Sequence, residues 1–317
     1  MQYGVRIDQH GGPEVLSYRE IDTPVPQSGE VLVRVHAAGL NYIDTYHRTG
    51  YYPVPALPTG LGVEGAGVVE ETGRRVAFAV PSLGTYQQYR CVPEAQLVEL
   101  PEQVSFEDAA AMMLKGMTAR YLLRQTYPVS AGDTILVHAA AGGVGLVLCQ
   151  WAAYLGVTVI GTVGSEEKAQ LAREHGCTHP ILYRTENVVD RVKEITEGRG
   201  VEVVYDSVGK DTFEDSLRCV RPRGLMVTFG QSSGAVTAFD PVTLSRNGSL
   251  FLTRPTLFHY VAEREELDEN SSELFDVVLN GHVKIPVRQR YPLRDAAQAH
   301  EALEARRTTG STVLIVD

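Results

Sequence analysis

At 317 residues the chain is long for a single hydrophobic core and suits two domains. Hydrophobic residues make up 44% and charged residues 21%, the balance of an ordinary folded protein rather than a disordered or fibrous one. The formal net charge of −10 argues against a broad nucleic-acid or anionic-membrane surface.

The first hundred or so residues carry short β runs between turn residues: YGVRI near the start, EVLVRVHAAGL over 30–40, GAGVVEE over 65–71 and RRVAFAV over 74–80. Gly11–Gly12, Pro26–Gln27 and the proline-rich TGYYPVPALPTG punctuate them. This pattern predicts a compact, mostly β domain. From Ser105, a suitable N-cap, the chain turns helical through EDAAAMMLKGMTARYLLRQ and bridges into a second domain. Thr134 to His138 then reads as a strand covered on both faces, and Ala139 to Gly145 as a small-residue turn. Leu146 to Leu155 is an apolar helix closed by Gly156, and Val157 to Val163 a second strand.

The alternation continues with helices over 166–175, 187–197 and 212–220, and strands at ILY, VEVVYDSV, GLMVTFG and SLFLTR. Such β/α alternation implies an α/β fold with a doubly wound parallel sheet. An acidic helix over 263–280 comes next, then IPVRQRYPL, a helix rich in Ala and Glu, and STVLIVD, expected to return to the first domain. The expected domains are 1–118, completed by 256–317, and 119–255. The four cysteines, Cys91, Cys149, Cys177 and Cys219, lack pairing spacings, which fits a reducing compartment. The N-terminus lacks a signal-peptide core and no apolar run is long enough to span a membrane, so the expected location is the cytoplasm.

The strand–turn–helix–strand unit gives a dinucleotide fingerprint its context. Glycines let the backbone approach a pyrophosphate, and the helix start points N–H groups at the anion. Gly142, Gly143, Val144 and Gly145 are the candidates, although Ala140 stands where the first glycine of G-x-G-x-x-G belongs. An NAD site usually carries Asp or Glu after the second strand, to accept from the ribose hydroxyls. Here the strand runs into Gly164 and Ser165, with Lys168 just beyond. A small residue leaves room for a 2′-phosphate, Ser165 can donate to it and Lys168 can neutralise it, which favours NADPH over NADH. Glu166 and Glu167 compete for the acidic role, though carboxylates are common in a first helical turn for dipole reasons alone.

The motifs GLNYIDTYHRTGYYP, LGVEGAG, HAAAGGVG, GTVGSEEK, VVYDSVGKDT, GLMVTFGQSSGAV and LTRP span almost the whole chain. In them the chain resembles the zinc-independent quinone oxidoreductases, the zeta-crystallin branch of the medium-chain dehydrogenase/reductase superfamily. The resemblance implies a Rossmann domain, a distorted, mostly β, GroES-like catalytic domain, and an NADPH-dependent reductase whose cleft lies between them. It also implies a homodimer, in which the edge strand near Leu250 to Thr253 pairs with its copy.

Zinc-dependent relatives place a Cys, a His-Glu pair and a further Cys where this chain has Asn41, Val63–Glu64 and Leu114–Lys115. One glutamate does not make a zinc site, and no catalytic metal is expected. Asn41, Tyr46 and Tyr52 match the family's acceptor pocket. An amide and two phenols suit hydrogen bonding to carbonyl oxygens that gain charge, and the rings can flank a flat acceptor. Turn chemistry for Asn41 and packing for the tyrosines is the other reading, and Tyr51 can exchange roles with Tyr52. By the same match Tyr183 lies beside Lys168 at the adenosine phosphate, and Ser207 and Val208 approach the nicotinamide ribose. The match also implies that Phe229, Gln231 and Ser232, after the next strand, stand where backbone groups bind the carboxamide, and that Thr118 is a candidate for ring contact. The link from Val69 to Arg75 is shorter than in most relatives, so the resemblance does not fix the shape of the cleft rim.

Two other functions share these features. One is reduction of an enal or enone at its double bond, with the same fold and cofactor. The other is a non-enzymatic, crystallin-like protein that binds NADPH or RNA, against which the negative charge and the lack of a basic stripe speak.

Overall fold

The computed structural model describes residues 1–316. The chain divides into two compact units. The first comprises Met1–Met117, Tyr260–Leu279 and the described residues from Ile285 onward; the second comprises Thr118–His259 and Asn280–Lys284. Thr118 and the segments 256–259 and 280–284 thus pack with the second unit, where the sequence reading puts them with the first.

The first unit is built on the strand Glu30–Leu40, which pairs antiparallel with Glu64–Val69, Tyr89–Pro93 and Ser311–Ile315 in a seven-stranded sheet. Its last pairing is the return of the chain's closing strand that the sequence leads one to expect. Val33 packs with Val69, Val76, Phe78 and Val92. Val35, Ala38 and Leu40 join a different cluster with Leu61, Tyr86 and Leu314. A small three-stranded sheet of Ser17–Ile21, Gln2–Ile7 and Thr59–Gly60 completes the unit.

Residues Tyr42–Thr49 form an α-helix, where the sequence reading has a turn-rich segment. The reason for the difference is its buried face, which is polar: Asp44, Thr45 and Arg48 point inward and leave no apolar periodicity to read. The ends carry ordinary signals. The Asp44 carboxylate accepts from the Asn41 N–H at 2.8 Å, and Gly50 closes the helix in the left-handed conformation at φ 79°.

The second unit holds a six-stranded parallel sheet. Its order is His179–Leu182, Thr158–Val163, Thr134–Val137, Val201–Asp206, Val220–Thr228 and Phe251–Thr253. Numbered within the unit this is 3-2-1-4-5-6, the Rossmann order, with its switch point between the first and fourth strands. The core joins Leu136, Ile160, Ile181, Val204 and Met226 of the strands to Val192 and Leu217 of the covering helices. The helix Gly143–Tyr154 starts three residues earlier than its apolar run suggests, so two glycines of the turn lie in its first turn. It ends as expected at Gly156, where the Gly156 and Val157 N–H groups donate to Ala153 and Ala152. Among the described residues no helix is long and apolar enough to cross a membrane.

Candidate active site

Parallel strands end on one side of a sheet, and all but one of the second unit's candidates sit at those ends. Gly142 caps the helix Gly143–Tyr154 in extended conformation, with no side chain closing the cap. Leu146 is the first residue whose N–H reaches back into the helix, to the Gly142 carbonyl at 2.9 Å. The Gly143, Val144 and Gly145 N–H groups precede it at the positive end of the helix dipole, where an anion is stabilised. A Cβ at Gly145 would press on the Ala139 carbonyl oxygen and lie 2.8 Å from that of Ala140, so this turn closes only over glycine. The missing first glycine has a local explanation. The Ala140 methyl fits because Gly161 lies opposite, where an added Cβ would come within 2.6 Å of it.

At the end of the second strand, Ser165 is the N-cap of the helix Glu166–Glu174, its Oγ accepting from the Lys168 N–H at 3.3 Å. That bond leaves the hydroxyl hydrogen available to donate. The Tyr183 hydroxyl lies over Gly164, 2.7 Å from where a Cβ would be, so Gly164, Ser165 and Tyr183 form one patch. Glu166 is engaged along its own helix by Arg173 at 2.8 Å, which suits a first-turn carboxylate better than a ribose acceptor.

Beyond the fourth strand, the buried Asp206 carboxylate organises the loop. It accepts from the Val208 and Gly209 N–H groups at 2.7 and 3.0 Å, and from the Thr212 and Ser216 hydroxyls at 2.7 and 2.9 Å. Ser216 also meets the buried His138, which bonds Thr162 on its other ring nitrogen, so the strand ends are cross-linked. Ser207 and Val208 accept from the Ser232 and Ser233 N–H groups, and Phe229 donates to the Asp206 carbonyl. The Cα of Gln231 lies 3.0 Å from where a Cβ on Gly209 would stand. Ser207, Val208, Phe229, Gln231 and Ser232 are therefore one cluster. Thr118 is not at a strand end: it lies nearly buried on the helix Phe106–Tyr121.

In the first unit Tyr46 and Tyr52 come together, their ring centroids 5.1 Å apart at 63°, with Tyr51 within 5.8 Å of both. The helix that carries Tyr46 is fixed from below by a polar chain. Arg48 donates to Gly11 O, to His300 Nδ1 at 3.0 Å and to Glu304 at 2.7 Å. With its Nδ1 accepting, the neutral His300 ring carries its proton on Nε2, facing the Tyr86 hydroxyl at 3.4 Å, which in turn donates to Asp44 at 2.9 Å. Burial pushes the Asp44 carboxyl up to about 7, against the pull of the Asn41 N–H and Tyr86. Burial, and then the Arg48 guanidinium, push His300 down to about 3.

Asn41 is only 6% exposed, and its Nδ2 donates to Glu64 Oε2 at 2.8 Å. The same carboxylate takes Lys115 Nζ at 2.9 Å and the Leu114 N–H at 2.7 Å. Sequence reasoning treats Glu64 and Lys115 only as a failed metal site and misses them as a pair. The charge complementarity of two residues 51 apart is the only signal it offers.

A family model described as "Zinc-binding dehydrogenase" matches residues 143–275, and one described as "Alcohol dehydrogenase GroES-like domain" matches residues 27–102. The quinone oxidoreductase of Pseudomonas aeruginosa is 54% identical over 320 residues, covering 98% of this chain and 98% of that protein. The chain belongs to the quinone oxidoreductases of the medium-chain dehydrogenase/reductase superfamily. The Escherichia coli quinone oxidoreductase, solved in complex with NADPH, is 49% identical with a TM-score of 0.97, covering 99% of each chain. The family also touches another chemistry, since the 2-haloacrylate reductase of a Burkholderia species is 46% identical over 98% of this chain and 97% of that protein. Where zinc-dependent members of the superfamily set their ligands, this quinone oxidoreductase sequence brings Asn41, Glu64 and Lys115 into one hydrogen-bonded group. Among the described residues no three His, Cys, Asp or Glu side chains are grouped to hold a metal ion.

Proposed function

We propose that the chain is an NADPH-dependent quinone reductase. The observation that carries the reading is a glycine-lined helix start and a Gly164–Ser165 strand end, in a chain alike from end to end to quinone oxidoreductases. The pyrophosphate would meet the N–H groups of Gly143, Val144 and Gly145, and the 2′-phosphate would meet Ser165, Lys168 and Tyr183. The Ser207–Val208 and Phe229–Ser232 loops would hold the nicotinamide end, with Thr118 against the ring. When bound, NADPH supplies hydride; the chain's own work is orientation and stabilisation of the acceptor oxygen as it gains charge. Asn41 would donate to that oxygen, and Tyr46 and Tyr52 would flank the acceptor's flat face. The test is NADPH oxidation with 1,4-benzoquinone, 9,10-phenanthrenequinone and an alkenal compared side by side. Faster turnover of the alkenal would replace this reading with double-bond reduction, the chemistry named by the 2-haloacrylate reductase.

NADPH is expected to bind much more tightly than NADH. Lys168→Ala should narrow that gap by about 1.5–3 kcal/mol, the worth of a hydrogen bond to a charged group. Titration of both dinucleotides by fluorescence checks it, and equal affinities in the parent protein would refute the 2′-phosphate assignment. The active form we propose is a homodimer through the strand Phe251–Thr253. That strand is the sheet's edge and leaves Phe251 63% exposed, a template for pairing with a second copy. Sedimentation should give twice the chain mass, and Phe251→Asp should shift it toward the monomer. The four cysteines, all free thiols and three of them buried, support a reducing, cytoplasmic location.

A further inference from the structure

We propose that Glu64 and Lys115 are positioning residues that fix which end of the Asn41 amide faces the acceptor. The proposal rests on the reading of Asn41 as the acceptor's hydrogen-bond donor. An asparagine amide is nearly symmetric in shape, and rotation by half a turn about its last bond exchanges a donor for an acceptor. Turned one way it stabilises an oxygen that gains negative charge; turned the other way its Oδ1 repels that oxygen.

Glu64 selects between the two. Its carboxylate faces the Lys115 ammonium at 2.9 Å and the Leu114 N–H at 2.7 Å, so toward Asn41 it accepts. The atom of the amide turned to it is therefore nitrogen, at 2.8 Å. One Nδ2–H is held there, and the second is left in a fixed direction in the amide plane. The backbone of Asn41 is fastened as well, its N–H held by Asp44, and the capping box turns the Asn41 side-chain oxygen toward the Asp44 N–H, which favours the same orientation.

The group is built into the fold and shielded. Glu64 is fully buried and Lys115 is 5% exposed, so both bonds act where water does not screen them. Gly39 makes the room, since a Cβ at that position would run into Glu64 Oε2. A buried ion pair is a poor device for stability alone, because removing two charges from water offsets most of what their attraction returns. Fixing an orientation is a use that matches this placement.

The experiment is a double-mutant cycle on Asn41→Ala and Glu64→Gln, with kcat and KM measured on 1,4-benzoquinone at saturating NADPH. The amide that Glu64→Gln introduces can offer an N–H to Asn41 Oδ1, which the carboxylate cannot, so the Asn41 side chain is released to turn. Each single change is expected to lower kcat/KM by about tenfold, mainly through kcat. The double variant should lose no more than either single, with NADPH affinity unchanged by fluorescence titration. Glu64→Gln strands the Lys115 charge and can unfold the unit. The cycle is therefore repeated with Glu64→Gln/Lys115→Met as one leg, which removes both charges together. Multiplying losses, about a hundredfold in the double, would mean that Glu64 does not act through Asn41 and would overturn the proposal. So would an unimpaired Glu64 variant beside an impaired Asn41→Ala. An unimpaired Asn41→Ala would instead overturn the acceptor reading itself, and this inference with it.

Discussion

Gly145→Val is expected to lower NADPH affinity by more than about a hundredfold, or about 2.7 kcal/mol. The glycine sits in the first turn of the helix Gly143–Tyr154, with two backbone oxygens in the path of any side chain. Neither the Ala139 nor the Ala140 carbonyl is the far end of a flexible group, so the turn itself has to open. Opening it moves the helix N–H groups away from the pyrophosphate position, and the dipole interaction falls off within that first turn. Trp151, Leu146 and Leu148 remain buried further along the helix, so the unit should still fold, at reduced Tm. Gly142→Ala is the useful contrast, because its Cβ would meet only the Ala139 carbonyl, at 3.1 Å. It should weaken NADPH binding through contact with the ligand while leaving Tm nearly unchanged. Equal loss of Tm in the two variants would contradict the assignment of Gly145 to the fold of the turn.

The second large effect is a hidden pH dependence. Asp44 has its carboxyl raised from 3.8 to about 7, so between those values the folded chain holds a proton that the unfolded chain has lost. Stability from this group is complete below about 4 and disappears as pH rises through 7. His300, lowered from 6.5 to about 3, does the opposite: the unfolded chain takes up a proton first. Its contribution is complete above 6.5 and is lost as pH falls through 3. Each amounts to something on the order of 4 kcal/mol, and between about 4 and 6.5 their slopes nearly cancel. Asp44→Asn removes one slope and should leave stability climbing with pH over that range. The amide nitrogen would sit where Asp44 Oδ1 has no partner, while its oxygen keeps the Asn41 and Tyr86 bonds. His300→Gln should leave stability falling instead. Urea unfolding of parent and variants at pH 4, 5, 6 and 7 measures both; parallel curves for the three proteins would refute the compensation.

Much of the fold is legible because its elements obey period and punctuation. The strand Glu30–Leu40 ends where the run EVLVRVHAAGL does, and Ser105 and Ser165 cap the helices they precede. The helix Tyr42–Thr49 is illegible by that rule because its inward residues are Asp44 and Arg48, buried by partners as distant in sequence as His300 and Glu304. Its ends are readable all the same, as Asn41 with Asp44 three residues on, and Gly50. The candidate dinucleotide residues cluster as a parallel sheet requires, since one topology brings all strand ends to one side. What sequence cannot supply is the layer behind them. That Asn41 already gives one N–H to Glu64, and that Asp206 holds the Ser207–Val208 turn, depend on partners that carry no local pattern.

Gly39 and Glu64 amount to one choice made at two positions. Gly39 lies in a strand where its backbone asks for nothing that only glycine can do; what forbids alanine there is a carboxylate oxygen reaching in from residue 64, together with the Ala110 carbonyl oxygen. Ala140 and Gly161 are a second such pair, with the methyl on the turn and the vacancy on the neighbouring strand. Each pair should therefore vary together among related chains. Alanine at 39 needs both a shorter side chain at 64 and a shift of the Ala110 carbonyl, and alanine at 161 needs both glycine at 140 and room given up by Cys177. A glycine in either place then marks the volume of what crowds it, and ancestral reconstruction should show the small residue arriving before the large one.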